Sequence, residues 1–207
     1  MTLQGEWMAD MSRIQEHVRS YYRLLYAASG PRPRASLPVL AGRELARSLG
    51  YPTQPLDSIP DSLWRQFHPC GNPLPLIRPA PQDRILNLGS GIGIDALCLV
   101  LTHNLPLQAV NMDVVDTVLL EGANSIPGIH AFSQGKSLAS SIQWICGDAE
   151  HLPFADGVFH WVSLNGVLNL FSRKEDLLRE ILRVMVSGGY LVGADLCCSD
   201  PLPEYFA

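Results

Sequence analysis

Three glycines that follow a short apolar stretch are the residues in this chain whose spacing most clearly indicates chemistry. The stretch Arg84-Ile85-Leu86-Asn87-Leu88 leads into Gly89-Ser90-Gly91-Ile92-Gly93, and an apolar helical pattern follows at once. Glycine lets the backbone turn sharply, and the missing Cβ lets a ligand approach the amides at the beginning of a helix. We therefore interpret the segment as a nucleotide-binding turn, with a tight turn that only packs a helix on a strand as the alternative.

Polar residues at the ends of three later apolar stretches stand where a nucleotide would need them. Asp113 lies 24 positions after Gly89, and an acidic residue about 20 positions beyond such a turn can accept hydrogen bonds from ribose hydroxyls. A solvated strand end or a helix N-cap is the alternative. Asp148 could accept from an adenine amino group, unless it is ordinary loop polarity. Asn165 would face the reactive end of the ligand.

Alternating strand and helix patterns from residue 84 onward would bring these residues together. We predict strands at 84–88, 107–113, 142–146, 158–164 and 189–195, and helices at about 92–103, 115–122, 131–139 and 173–186. Short connections between them imply a mostly parallel sheet with helices on both faces, which is an α/β Rossmann-like three-layer sandwich. Such sheets bind ligands beyond the carboxyl ends of their strands.

The first part of the chain has a different pattern. Apolar residues at three- and four-residue steps predict an amphipathic first helix, and residues 30–82 contain most of the prolines. The expected helices lie at 6–28, 41–49 and 61–68. We divide the chain into a helical, proline-rich N-terminal cap, residues 1–82, and a ligand-binding domain, residues 83–207.

Composition and charge narrow the class of partner. The 207 residues are 47% hydrophobic, enough for a sizeable core, and a net charge of −5 argues against nucleic acid. The apolar runs are too short to span a bilayer, and the N-terminus lacks a signal-peptide pattern. Five irregularly spaced cysteines indicate neither a disulfide framework nor a zinc site. We expect a cytoplasmic protein with a small-molecule substrate and no membrane partner or metal.

The order of these parts resembles the class I S-adenosylmethionine-dependent methyltransferases, and in particular their arsenite methyltransferase branch. The segments that carry the likeness are Tyr21-Tyr22, the CGNP run at 70–73, the run GDAEHLPFAD at 147–156, the run NGVLNL at 165–170, and Gly188-Gly189. The likeness covers most of residues 62–203 and is poor between 121 and 140.

The resemblance implies S-adenosylmethionine as the cofactor and S-adenosylhomocysteine as the product. The glycine turn would hold the methionine part and Asp113 the ribose, while Val114 and residues 148–149 would hold the adenine. Asn165 would line the methyl-donating end, and Tyr22 would close over it unless it only belongs to the core stripe of the first helix. The implied cofactor-binding residues are Tyr22, Asn87, Gly89, Ser90, Gly91, Gly93, Asp113, Val114, Asp148, Ala149 and Asn165.

Two departures from the family pattern affect the expected function. Asn87 stands where the family has an acid, which removes a charge-assisted hydrogen bond and predicts weaker cofactor binding. Gly166 stands where the branch has a cysteine, and arsenite is soft and is held by several thiolates. We therefore expect a small-molecule methyltransferase with another acceptor. A non-catalytic binding protein or partner subunit, and an enzyme that uses the sulfonium for other chemistry, remain alternatives. No catalytic base is assigned, and His68 is the candidate on the substrate side.

The end of the chain departs from the family as well. The resemblance implies a seven-stranded sheet, but only 12 residues follow the fifth predicted strand here. We expect five strands in the order 3-2-1-4-5, with the strand at 190–195 at an edge. Proteins normally cover such edges, so we expect a second copy, a partner subunit or the N-terminal cap over it. The alternative is that the chain is a fragment of something longer.

Overall fold

The protein is built on five parallel strands whose side chains are largely apolar and buried. The computed structural model describes residues 16–25, 41–103, 105–130 and 142–197. The strands are β1 (Arg84–Leu88), β2 (Gln108–Asp113), β3 (Ile142–Cys146), β4 (Phe159–Asn165) and β5 (Met185–Ala194). They form one sheet in the order β3-β2-β1-β4-β5, with every pair parallel. The predicted fold class and strand order are confirmed.

Helices lie on the sheet and ahead of it in the chain. They are α1 (residues 16–25), α2 (Arg43–Ser48), α3 (Thr53–Ser58), α4 (Asp61–Trp64), α5 (Ile94–Thr102), α6 (Asp116–His130) and α7 (Lys174–Val184). Short 3-10 turns occupy Leu74–Leu76 and Leu168–Leu170. The helix α6 is longer than predicted and α3 was not predicted. The helix expected at 131–139 lies outside the described residues.

Two apolar clusters form the core. One contains α5, whose residues Ile94–Leu101 are all buried, together with cap side chains such as Leu56, Leu63 and Trp64. The other contains the apolar face of α7 packed on β1, β2 and β4. Each fully buried large apolar side chain stabilises the fold by about 1.5–3 kcal/mol relative to its exposed state. The described part of the cap therefore shares a core with the sheet.

The strand β5 forms one edge of the sheet. In the part of the chain that the structure describes, β5 pairs with β4 and with no other strand. Tyr190 is 59% exposed and Leu191 is 39% exposed on this strand, while the Tyr190 ring stacks on Trp161 with centroids 4.6 Å apart. A covering partner for this edge stays a prediction.

No helix among the described ranges is long and apolar enough to cross a membrane.

Candidate functional site

A cleft that is partly open to solvent lies beyond the carboxyl ends of the strands. Its walls come from the loops that follow β1, β2, β3 and β4, and from α1 of the cap. The predicted cofactor-binding residues on these walls are Tyr22, Gly89, Ser90, Gly91, Asp113, Val114, Asp148, Ala149 and Asn165. Asn87 and Gly93 are not among the lining residues. The fold therefore brings most of the predicted set to one place.

The glycine turn between β1 and α5 has a backbone that only glycine adopts without strain. Gly89, Gly91 and Gly93 have φ values of 64°, 52° and 82°. A Cβ on Gly89 would lie 2.4 Å from Cγ2 of Val167, and one on Gly93 would lie 2.4 Å from the Trp144 ring. These glycines thus allow both the left-handed turn and the close packing beneath it.

Asp113, at the end of β2, is fixed by backbone donors. Its Oδ2 accepts from the amide of Gly91 at 2.7 Å, and its Oδ1 accepts from the amide of Val115 at 3.0 Å. Burial raises the pKa of this carboxyl, and the bonds from backbone amides partly oppose the shift. Asp113 therefore links the β2 end to the glycine turn and faces the cleft with a fixed carboxylate.

Asp148, after β3, is held by α1 from the cap. Its Oδ2 accepts from the Arg19 guanidinium, and its Oδ1 accepts from the amide of Glu150 at 3.0 Å. Val18 and Tyr22 of the same helix also line the cleft. Burial is the largest cause that raises the pKa of Tyr22 to about 12. The helix α1 therefore closes one side of the cleft, and Arg19 is a site residue that sequence reasoning missed.

Asn165, at the end of β4, belongs to a buried polar network. Its Oδ1 accepts from the amide of Cys70 at 2.9 Å, and its Nδ2 donates to Asp95 at 3.1 Å. Asp95 also accepts from the Tyr51 hydroxyl at 2.6 Å. Burial raises the pKa of Asp95 to about 6, against the opposing effect of these two hydrogen bonds. Asp95 was missed, although a lone acid within the apolar run Ile94–Leu101 was a usable signal.

The structure places Asn87 and Gly93 behind the wall of the cleft. Asn87 is 2% exposed, donates from Nδ2 to Asn111 at 2.9 Å, and accepts from the Ser163 hydroxyl at 3.3 Å. Its amide is thus used inside the sheet, which differs from the predicted direct contact with a cofactor. Gly93 packs on Trp144 and Asn111 and shapes the turn from beneath.

Cys70, which carries a thiol close to Gly166, and His68, the candidate base, both belong to the cap. A Cβ on Gly166, where φ is 72°, would lie 2.8 Å from Sγ of Cys70. Burial raises the pKa of the Cys70 thiol. His68 lines the cleft. Within the described ranges no group of three or more His, Cys, Asp or Glu side chains could hold a metal ion.

The strand order and the glycine turn facing two carboxylates define a Rossmann-like domain for an adenosine-containing cofactor. The chain belongs to the methyltransferase domain family, whose profile matches residues 86–193, more than half of the chain. The methyltransferase resemblance drawn from the motifs is confirmed. Family membership implies S-adenosylmethionine as the cofactor.

Two curated relatives show where the likeness lies. An arsenite methyltransferase of Halobacterium salinarum is 26% identical over 156 residues, which is 75% of this chain and 38% of the relative. A ubiquinone/menaquinone biosynthesis C-methyltransferase, UbiE, of Ectopseudomonas mendocina is 29% identical over 130 residues, which is 63% of this chain and 46% of the relative. The chain therefore spans less than half the length of these relatives.

Solved structures of other proteins share this fold. The arsenic(III) S-adenosylmethionine methyltransferase CrArsM of Chlamydomonas reinhardtii superposes with a TM-score of 0.60 at 28% identity, covering 71% of this chain and 49% of that one. The [4+2]-cyclase SpnF superposes with a TM-score of 0.52 at 21% identity over 86% of this chain and 59% of that one, which shows a shared fold alone.

Proposed function

We propose that this protein is an S-adenosylmethionine-dependent methyltransferase that acts on a small organic acceptor other than arsenite. The observation that carries the proposal is the convergence of the glycine turn, Asp113 and Asp148 on one cleft. In this proposal the glycine turn holds the methionine part, Asp113 the ribose and Asp148 the adenine of one cofactor. When bound, this cofactor supplies an electrophilic methyl group on a sulfonium.

The charge of the cleft supports a cationic ligand. Its walls carry the carboxyl groups of Asp95, Asp113, Asp148 and Glu150, and Arg19 is the only lysine or arginine among the described residues that line it. An excess of carboxylates attracts a sulfonium and an ammonium group, and it repels the pyrophosphate of a dinucleotide. The residues present therefore fit S-adenosylmethionine better than a nicotinamide cofactor.

The apolar part of the cleft lining supports an organic acceptor. It consists of Phe67 of the cap and of Val167, Leu170 and Phe171 after β4, and His68 lines the cleft as well. Arsenite would need several thiolates, but Gly166 provides no thiol and burial raises the pKa of Cys70. An uncharged acceptor with an apolar body would lose little on leaving water for such a wall. His68 is the candidate base if the acceptor carries a proton at neutral pH.

Binding and transfer can be tested separately. Calorimetry with S-adenosylmethionine, S-adenosylhomocysteine and NAD⁺ should show heat from the first two only. Transfer of a radiolabelled methyl group would then be measured with a panel of thiols, amines, phenols and quinols, and with arsenite for comparison. Transfer to an organic acceptor but not to arsenite supports the proposal. Binding without transfer to any acceptor would favour the non-catalytic reading or chemistry other than methylation, and preferred transfer to arsenite would contradict the acceptor assignment.

A further inference from the structure

The Asn165 side chain, at the end of β4, forms hydrogen bonds to the backbone of the Cys70–Gly71 segment of the cap. Its Oδ1 accepts from the amides of Cys70 at 2.9 Å and Gly71 at 3.3 Å, and its Nδ2 donates to the Gly71 carbonyl at 3.1 Å. One side chain therefore serves both as acceptor and as donor for adjacent peptide groups. The Cys70–Gly71 segment has this anchor beside the cleft, which Asn165 itself lines.

This anchor works in one orientation of the Asn165 amide. The oxygen and nitrogen ends of a primary amide have nearly the same shape, so a rotation of 180° would present donors to the two backbone amides. Asp95 opposes that rotation, because an ionised carboxylate only accepts and its Oδ2 lies 3.1 Å from Asn165 Nδ2. Its Oδ1 accepts from Tyr51 at 2.6 Å, which fixes the carboxylate from the other side.

We propose that Asp95 is a positioning residue, which sets the orientation of the Asn165 amide and so holds the Cys70–Gly71 segment against the cleft. Asp95 stands in the first turn of α5, two residues after the glycine turn. Cys70 and Gly71 are not among the lining residues, but they follow the lining residue His68 in the chain, and Asp95 and Asn165 line the cleft beside the glycine turn assigned to the methionine part of the cofactor. In this last respect the inference rests on the proposed function.

The orientation of the Asn165 amide should depend on pH, because Asp95 can be protonated. A protonated Asp95 carries a donor of its own and no longer selects the Asn165 orientation with a charge. Burial raises the pKa of Asp95 to about 6. Among the described residues, the titratable groups coupled to it are Tyr51 and Cys98, and both have raised pKa values. Both stay neutral between pH 5 and 8, so Asp95 is the member of this network that changes charge there.

The test uses the whole chain with the substitution Asp95→Asn, which keeps the shape and removes the charge. Tyr51→Phe is the second variant. It keeps the bond between Asp95 and Asn165, but it removes the hydroxyl that lies 2.6 Å from Asp95, 3.0 Å from Asn165 and 3.2 Å from the Gly71 carbonyl. Asp156→Asn on the surface is the matched control. Amide hydrogen exchange of Cys70 and Gly71 would be followed without cofactor. Calorimetry would then compare S-adenosylmethionine with adenosine from pH 5 to 8.

We expect Asp95→Asn to speed exchange of the Cys70 and Gly71 amides at least tenfold at pH 7.5, and Tyr51→Phe to have a smaller effect. S-adenosylmethionine should bind at least fivefold more weakly to Asp95→Asn, with adenosine unchanged within twofold. The wild-type affinity for S-adenosylmethionine should fall between pH 7 and 5, and the fall should be smaller in Asp95→Asn, where only other cleft carboxyl groups such as Asp113, whose pKa is also raised by burial, still respond to pH. The Asp156→Asn control should match wild type throughout.

Unchanged exchange at Cys70 and Gly71 in a folded Asp95→Asn variant would overturn the positioning role. So would an equal loss of affinity for both ligands, or a fall in affinity between pH 7 and 5 that is as steep in Asp95→Asn as in wild type. If wild type binds neither ligand, the proposed function fails, whereas the exchange rates still decide the role of Asp95.

Discussion

The Asp113 carboxylate accepts a hydrogen bond from the Gly91 amide across 2.7 Å. This bond joins the end of β2 to the middle of the glycine turn after β1. Because Asp113 also accepts from the Val115 amide, its carboxylate keeps one orientation without any ligand. The two motifs that the sequence indicates separately are thus one preformed structure.

The glycine turn should tolerate no side chain at its third glycine. Gly93 and Gly157 both have positive φ values, of 82° and 66°, but only Gly93 has neighbours within 4 Å of an added Cβ. Gly157→Ala should cost about 1–2 kcal/mol for the left-handed backbone. Gly93→Ala should cost about 3 kcal/mol or more, since Trp144 and Asn111 must also move. Chemical denaturation measures both, and equal losses would contradict the packing described under the turn.

The contact between α1 and the adenine side should be a weak, salt-dependent ion pair. The side chains of Arg19 and Asp148 are 32% and 31% exposed, and exposed pairs contribute about 0.2–1 kcal/mol. A double-mutant cycle with Arg19→Ala and Asp148→Ala should give a coupling free energy in that range, which falls in 1 M salt. The exposed pair Arg47 and Glu44 is the control.

The variants Asp148→Ala and Arg19→Ala should affect ligand binding in different ways, because Asp148 would contact the adenine whereas Arg19 holds α1 over the cleft. Asp148→Ala should weaken adenosine binding, because the carboxylate would accept from the adenine amino group. Arg19→Ala should mainly speed dissociation, since it removes a contact of α1 and not of the ligand. Equal effects of both variants on the dissociation rate alone would argue against recognition of adenine by Asp148.

Asp95 should make unfolding depend on pH in a defined direction. Its pKa is raised from 3.8 to about 6 in the folded protein, so between these values the folded state binds a proton that the unfolded state has lost. The free energy of unfolding contributed by Asp95 therefore falls as pH rises from 4 to 7, by about 3 kcal/mol at 1.4 kcal/mol per pKa unit. Asp95→Asn should remove this slope. Parallel pH curves for the two proteins would contradict the assignment.

The exposed edge of β5 should associate in solution. Tyr190 and Leu191 are both exposed on this strand, and an unpaired strand edge is a template for pairing. We predict that sedimentation shows a species heavier than the 22.7 kDa chain, and that Leu191→Lys shifts it toward the monomer. A wild-type monomer with rapidly exchanging β5 amides would show that the edge is open to water.

The positions of the strands followed from the sequence because buried parallel strands are nearly continuous apolar runs. The predicted 84–88 and 142–146 agree with β1 and β3 at both ends. The strand β5 begins at Met185, earlier than the predicted 189, because it follows α7 without a loop. The helix α3 was missed since Pro55 lies within it, and proline normally disfavours a helical interior.

The site was predictable where one residue type and one spacing suffice. Glycines before a helix and acids after strands have such signals, and these residues line the cleft. The hydrogen bonds that join Asp95, Tyr51 and Asn165 have no such signal, because these residues are 44 to 114 positions apart in the chain. Only the packing of the cap on α5 brings them together. The position of Asn87 behind the cleft wall was not predictable either, because its hydrogen bond to Asn111 depends on the register between β1 and β2.

If the cleft binds S-adenosylmethionine, it should do so through Asp113 and the glycine turn that Asp113 holds. The most direct test is a calorimetric titration of wild type and Asp113→Ala with S-adenosylmethionine, with Asp116→Ala on the exposed start of α6 as the control. We predict one site in wild type and in the control, and at least tenfold weaker binding in a folded Asp113→Ala. Absence of binding to folded wild type, or equal affinity in all three proteins, would contradict the account.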